Sequence, residues 1–318
     1  MNHTVSNTSS GRQMIAGNLL ALSAAICWGF NEPANKVLIP ENISASGVAL
    51  FRIFGATAII WLLSLFVKRE KIQRSDWKIF WASALMMLAF TYVFSLAFVT
   101  ASPIDIAIIL TFQPMLVVGI NVIFRHTKVN PLVWVGMAIA FGGALLVILA
   151  GGNFSDGRLT GDLLACVCAI AYAAYLVMME GPSHRYGTMT ITKWVFLLTS
   201  VLALPLLFTF PRHAAMYSHG GWLPWALLIF IILFPTVYCY VVTPTALSKV
   251  GSGIFSFYQY LVPVIATIVC VIFRIDEFHW YQPVSFVIIV AGVMLANYAK
   301  LKTPPAAKAA PAGHPTKQ

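Results

Sequence analysis

The sequence predicts an all-α integral membrane protein of ten transmembrane helices, built as two inverted five-helix repeats with both termini cytoplasmic. Three observations carry that prediction. The 318 residues are 59% hydrophobic and only 9% charged, with a mean hydropathy of +0.83, whereas soluble domains carry about 25% charged residues. The apolar residues fall into ten runs of about the 20 residues needed to cross a bilayer, at 15–38, 45–67, 77–99, 102–124, 131–150, 159–179, 190–210, 222–244, 252–273 and 281–299. The halves also share short patterns at corresponding helices. Gly17-Asn18-Leu19-Leu20-Ala21 opens the first run and Gly161-Asp162-Leu163-Leu164-Ala165 the sixth; Val122-Ile123-Phe124-Arg125 ends the fourth and Val271-Ile272-Phe273-Arg274 the ninth. Five helices per copy is odd, so the second copy enters the membrane from the opposite side. The organisation expected is an N-terminal segment 1–14, repeats 15–150 and 159–299, and a disordered tail 300–318 rich in Ala, Pro and Lys.

Span one is apolar from Ile15 to Cys27, then carries Trp28-Gly29-Phe30-Asn31-Glu32-Pro33-Ala34-Asn35-Lys36 before Val37-Leu38-Ile39 resumes the apolar run. A carboxylate at that depth costs about 2.5–3.5 kcal/mol on insertion scales, and Pro33 is expected to bend and break the helix, freeing a backbone carbonyl. Such groups are tolerated only where protein or a watery cavity satisfies them. The segment is therefore expected to line a polar cavity; the competing explanation is a helix end in the outer headgroup region.

Arg52 lies about seven residues inside span two and Glu32 about six from the outer end of span one, so both sit about 10 Å below the outer edge. An Arg–carboxylate pair would resolve the burial of both, as a structural latch or as part of a substrate site. In span three, Tyr92 is a candidate aromatic wall, with Trp28 and Tyr172. Asp105 opens span four, where an acid suits the helix dipole. Pro114 and Pro263 interrupt spans four and nine near mid-depth, beside Thr111, Gln113, Tyr258, Gln259 and Tyr260. Broken helices expose backbone groups that can hold a ligand, and the side chains chosen for that role are Gln113, Tyr258 and Gln259. Interhelical hydrogen bonding is the alternative role for them. Gly142-Gly143 in span five suits close helix packing. Glu180 and Lys193, near the inner ends of spans six and seven, are taken as interfacial charges.

The basic residues set the orientation. Arg12, Lys68, Arg69, Lys71, Arg74, Lys78, Arg125, Lys128, Arg185, Lys193, Lys249 and the tail lysines fall on the side of the termini. Only Lys36, Arg158, Arg212 and Arg274 fall opposite. Short basic loops are cytoplasmic. The net charge of +10 is thus a topology signal and not a nucleic-acid surface.

The residues exclude other classes. Cys27, Cys166, Cys168, Cys239 and Cys270 lie within apolar runs and suit packing better than disulfides or metal. The seven histidines are scattered without ligand spacing, so neither a metal centre nor a cofactor is expected. No GxxxxGK[ST] motif supports ATP-driven transport.

Several features together resemble the EamA family of the drug/metabolite transporter superfamily. These are Trp28-Gly29 followed by Asn31 and Lys36, Arg52 within Leu50-Phe51-Arg52-Ile53, the prolines of spans four and nine, and the stretch from Pro263 through Phe273 to Glu277 with Gly292 beyond. The resemblance covers about 15–299. Lys128 departs from it, standing where the first repeat of the family often has an acid like Glu277. The resemblance implies export or exchange of a small metabolite, such as an amino acid, across a bacterial inner membrane. The expected partners are that small-molecule substrate, the lipid bilayer and protons as a candidate coupling ion. A monomer and a homodimer both fit. A channel or non-transport membrane subunit is the alternative, and a membrane enzyme a more remote one.

Overall fold

In lipid, every backbone N–H and C=O must be satisfied within its own segment, so apolar runs without turn chemistry fold as helices. The computed structural model describes residues 3–125, 130–151, 157–183, 185–211, 213–218 and 221–302, and no strand occurs among them. The helices are α1 (His3–Leu38), α2 (Ala45–Ser64), α3 (Trp77–Ala97), α4 (Pro103–Leu110), α5 (Gln113–Arg125), α6 (Pro131–Gly151), α7 (Arg158–Ser183), α8 (Thr188–Ala203), α9 (Ala215–Ser218), α10 (Leu223–Ile231), α11 (Cys239–Gln259), α12 (Leu261–Ile272) and α13 (Tyr281–Lys302). A 3-10 turn, Leu204–Thr209, extends α8, and a π-helical segment, Ile232–Tyr238, joins α10 to α11. The expected tail beyond residue 302, and Lys128, lie outside the described residues.

Among the described residues, eight helical stretches are long and apolar enough to cross a membrane, the last being Leu223–Ala246. Where the ninth and tenth spans were expected, the apolar helices are shorter: Leu261–Ile272 and Tyr281–Ala296.

Proline explains the interruptions. A proline at position i has no N–H and crowds the carbonyl of residue i−4. Four residues before Pro114 is Leu110, where α4 ends; four before Pro263 is Gln259, where α11 ends. Both predicted breaks therefore occur, one turn upstream of the prolines themselves. Four before Pro235 is Ile231, where α10 gives way to the π segment, a break the sequence reading did not anticipate. The third break expected, at Pro33, does not occur: α1 continues through it to Leu38.

α1 packs on α11 and α12, α3 on α7 and α8, α2 on α8 and the π segment, α5 on α7, and α6 on α13. Small residues set the last contact. A Cβ added at Gly292 would lie 2.5 Å from Gly136 O and from Ala140 N, so the two backbones touch directly. Gly143 meets Ile289 in the same interface, whereas Gly142 faces open space. The main core gathers Leu38, Phe80, Met87, Phe94, Phe98 and Ile104 between α1, α3 and α4. The five cysteines are unbridged, as their apolar settings suggested.

Candidate functional site

Helical spacing puts Trp28, Asn31, Glu32 and Asn35 on one face of α1. That face turns inward: Asn31 is 2% exposed, Glu32 3% and Asn35 0%. That burial sets these side chains inside the protein rather than at its surface. Asn35 Nδ2 donates to Asn31 O at 2.7 Å and to Asn31 Oδ1 at 3.1 Å. Trp28 Nε1 donates to Pro235 O at 3.2 Å, and Ser23 Oγ meets Tyr238 Oη at 2.7 Å. Both contacts tie α1 to the π segment. Gly29 lets α12 close in, since a Cβ there would lie 2.5 Å from Ile265 Cβ.

Arg52, from α2, reaches the same interior and is 3% exposed. Its Nε donates to Thr236 Oγ1 at 2.6 Å, and its guanidinium lies 5.5 Å from the centre of the Phe94 ring. Thr236 can accept because its own hydroxyl proton goes elsewhere, to Ile231 O at 2.9 Å. Ile231 O is the carbonyl that Pro235 crowds. The proline break thus orients the hydroxyl that holds the arginine.

The expected Glu32–Arg52 pair does not form. Arg52 spends Nε on Thr236, and its Nη1 has no partner; Glu32 Oε2 and Asn35 Oδ1 have none either. The two charges act on each other through space without contact. The interior therefore holds a carboxylate oxygen, an amide oxygen and a guanidinium nitrogen, all buried and all unsatisfied. Such groups are rare in native proteins, and a site awaiting a polar ligand is one of the few explanations for them.

The aromatic wall differs from expectation. Phe90 and Phe94, four apart on α3, face the centre; Phe90 packs on Tyr172 at 4.7 Å. Tyr92 is two residues from each, about 200° around the helix, and projects elsewhere. Tyr172 also approaches Tyr175 and Tyr240. Tyr258, like Leu20 and Trp28, packs against the small cluster of Ala21 and Ala246. Gln259 Nε2 and Tyr260 Oη are buried and unpartnered at the α11–α12 break. Gln113 opens α5 at the other break. An apolar groove of about 180 Å³ between α4, α12 and α13, lined by Ile108, Pro263, Thr267, Phe278, Gln282 and Phe286 among others, contains none of Glu32, Asn35 and Arg52.

Two polar clusters close the ends of the bundle. At the end expected outside, Asp105 is fully buried and takes Arg158 Nη2 at 2.6 Å, Arg158 Nε at 3.2 Å and Gln282 Nε2 at 3.0 Å. Arg158 Nη2 also donates to Tyr281 Oη at 2.6 Å. Lys36 Nζ donates to Phe98 O and Ala101 O at 3.3 and 3.1 Å, and Ser102 Oγ binds Asp276. Asp105 is thus an ion-pair acceptor and not a capping acid; Ser102 caps α4. At the other end, Asp76 pairs with Arg185 at 3.1 Å and accepts from Tyr186 Oη at 2.7 Å. Gln73 N donates to Tyr186 Oη at 2.9 Å, and Gly187 N to Glu70 Oε2 at 2.8 Å. That N–H holds the Glu70 carboxyl below its ordinary range. Lys193, expected at the interface, is buried over the Trp61 ring. Glu277 is exposed, its N–H bonded to Asp276.

These two end clusters were missed at the sequence level, as were Asn35, Thr236 and Phe94 as members of the centre. Their partners lie far apart in the chain, 53 residues for Asp105 and Arg158 and 184 for Arg52 and Thr236. Pro235 within an apolar run was the one local signal available.

A membrane-embedded bundle with a closed polar centre is the build of a transporter. The chain belongs to the EamA-like transporter family, which matches residues 15–149 and again 159–298. An uncharacterized transporter of Archaeoglobus fulgidus is 25% identical over 291 residues, 88% of this chain and 96% of that protein. Two uncharacterized transporters of Bacillus subtilis (strain 168) are also similar. YetK is 24% identical over 62% of this chain and 60% of its own length; YyaM is 22% identical over 80% and 85%. A solved crystal structure shares the fold with a TM-score of 0.60 at 18% identity, covering 89% of this chain and 98% of that one.

Proposed function

We propose that the protein is a secondary carrier, moving a small metabolite, an amino acid or related compound, by alternating access across a bacterial inner membrane, as export or exchange. The observation that carries it is the set of unsatisfied groups on Glu32, Asn35 and Arg52, buried between two closed ends of a transporter-family bundle. Arg52 suits a substrate carboxylate and Glu32 with Asn35 an ammonium group, so a zwitterion would satisfy all three.

Several observations support the two-repeat arrangement. The family matches the chain twice, over nearly the predicted halves. Exchanging the halves also turns the α3–α7 packing into α1–α11 and the α5–α7 packing into α1–α12. Residues assigned to one side by charge meet at one end: Lys36, Asp105 and Arg158 in one cluster, Glu70, Asp76 and Arg185 in the other. The ten-span count and cytoplasmic termini belong to the same proposal.

Counterflow in liposomes tests the function. Purified protein faces a panel of amino acids, nucleosides, polyamines and cationic dyes, with and without a pH gradient. Saturable exchange of one class, lost in Arg52→Ala, is the expected result. Non-saturable leak would favour a channel, and exchange unaffected by Arg52→Ala would remove the site assignment.

A further inference from the structure

Arg158 and Asp162 stand one turn apart on α7, so they share a face and lie within reach of each other. Arg158 nevertheless turns away, to Asp105 on α4 and Tyr281 on α13. Asp162 is left 0% exposed, with both carboxylate oxygens unpartnered. A carboxyl group buried without a donor from the protein is costly to ionise. Among the described residues, the elements packed on α7 are α3, α4, α5, α6 and α8. Of these only α4 brings a charged group to this end, Asp105. The charged groups acting on Asp162 are Asp105 and Arg158, and Asp162 in turn acts on Cys166 of α7 and Tyr281 of α13.

We propose that Asp162 is a proton-binding residue of the outer gate, and that Arg158 exchanges between Asp105 and Asp162 as the gate opens. The step balances. In the closed state one guanidinium faces one carboxylate and one neutral acid. On opening, Arg158 leaves Asp105 for its own helix neighbour, and Asp162 gives its proton to the outer water. Asp105, now facing the opened side, keeps its charge by hydration. The single extra negative charge equals the proton released. The Gln282–Asp105 bond breaks in the same movement, because α13 and α4 separate. In the first repeat the position of Asp162 is Asn18, within Gly17-Asn18-Leu19-Leu20-Ala21. An amide does not titrate, so this proton site belongs to one end only. The assignment rests on the carrier reading and adds to it where a coupling proton is held.

The test needs no substrate, so its failure is separable from failure of the carrier reading. Spin labels are attached through a ketone-bearing amino acid at Val99, in the α3–α4 turn, and at Trp280, before α13; both side chains are exposed. The five cysteines stay in place. Distances are measured on the full chain in lipid nanodiscs as pH rises. In the otherwise unmodified chain the population should move from the short to the long distance. Asp162→Asn should hold the short distance at every pH, and Asp105→Asn should favour the long one throughout. Infrared spectra of the same samples should lose a protonated-carboxyl band in Asp162→Asn, which reports on the acid even if Asp105→Asn fails to fold. A pH response retained by Asp162→Asn, an unchanged carboxyl band, or an unmodified pair insensitive to pH would each overturn the assignment. An intact pH response without counterflow supports the gate and removes the carrier.

Discussion

Arg52 is the residue on which the centre depends. Its Nε bond to Thr236 is short and charge-assisted, a class worth about 1.5–3 kcal/mol. Thr236→Val keeps the shape and removes both the acceptor and the donor to Ile231 O. It should lower the stability of the purified protein by about that amount, read as a lower unfolding temperature in detergent. Arg52→Ala, or Glu32→Gln, should reduce counterflow by about tenfold to a hundredfold, as loss of one charge-assisted contact implies. Both variants should still reach the membrane. Normal counterflow in either one would show that its unsatisfied atom does not meet substrate. The Glu32–Arg52 pair was inferred from equal depth along two helices, and both side chains are buried. What depth cannot supply is azimuth. The direction of Arg52 Nε was set by a hydroxyl 184 residues away.

At the scale of the element, prolines and glycines do most of the shaping. The rule that a helix ends four residues before an internal proline accounts for Leu110, Gln259 and Ile231 alike. Pro114 and Pro263 were legible in the sequence as breaks. The consequence of Pro235, a π segment presenting Thr236 to Arg52, was not, because it depends on which neighbouring helix is there to receive the hydroxyl. The α6–α13 interface offers a graded test. Gly292→Ala places a Cβ 2.5 Å from two backbone atoms, and should destabilise by about 1–3 kcal/mol as an overpacked contact. Gly142→Ala on the partner helix α6 meets nothing within 4 Å, and should stabilise by about 0.5–1 kcal/mol through helix propensity. Thermal unfolding of the two variants side by side decides it; equal shifts would mean the helices do not touch where described.

For the whole molecule, the distribution of charge and the closure of both ends are linked. The positive-inside bias assigns Glu70, Asp76 and Arg185 to the cytoplasmic end and Asp105 and Arg158 to the opposite one, and each group meets its own kind in space. A fluorescent protein fused after Gln318 should fluoresce, and alkaline phosphatase fused there should be inactive. The reverse pattern would invert the topology and exchange the names of the two gates. With ion pairs at both ends and unsatisfied groups between them, opening either end of the bundle would break a specific set of polar contacts.

The sequence by itself determined the class: a helical membrane protein, its apolar runs, its breaks at Pro114 and Pro263, and the polar stretch of α1 around Glu32. These follow from hydropathy, helical period and proline stereochemistry, which act over a few residues. Only the tertiary structure decided that Arg52 binds Thr236 and not Glu32, that Asp105 holds Arg158 and is no cap, and that Asp162 is left without a donor. Each of those choices is a competition among hydrogen-bond partners on different helices, and the winner is fixed by packing at distances the chain order does not contain.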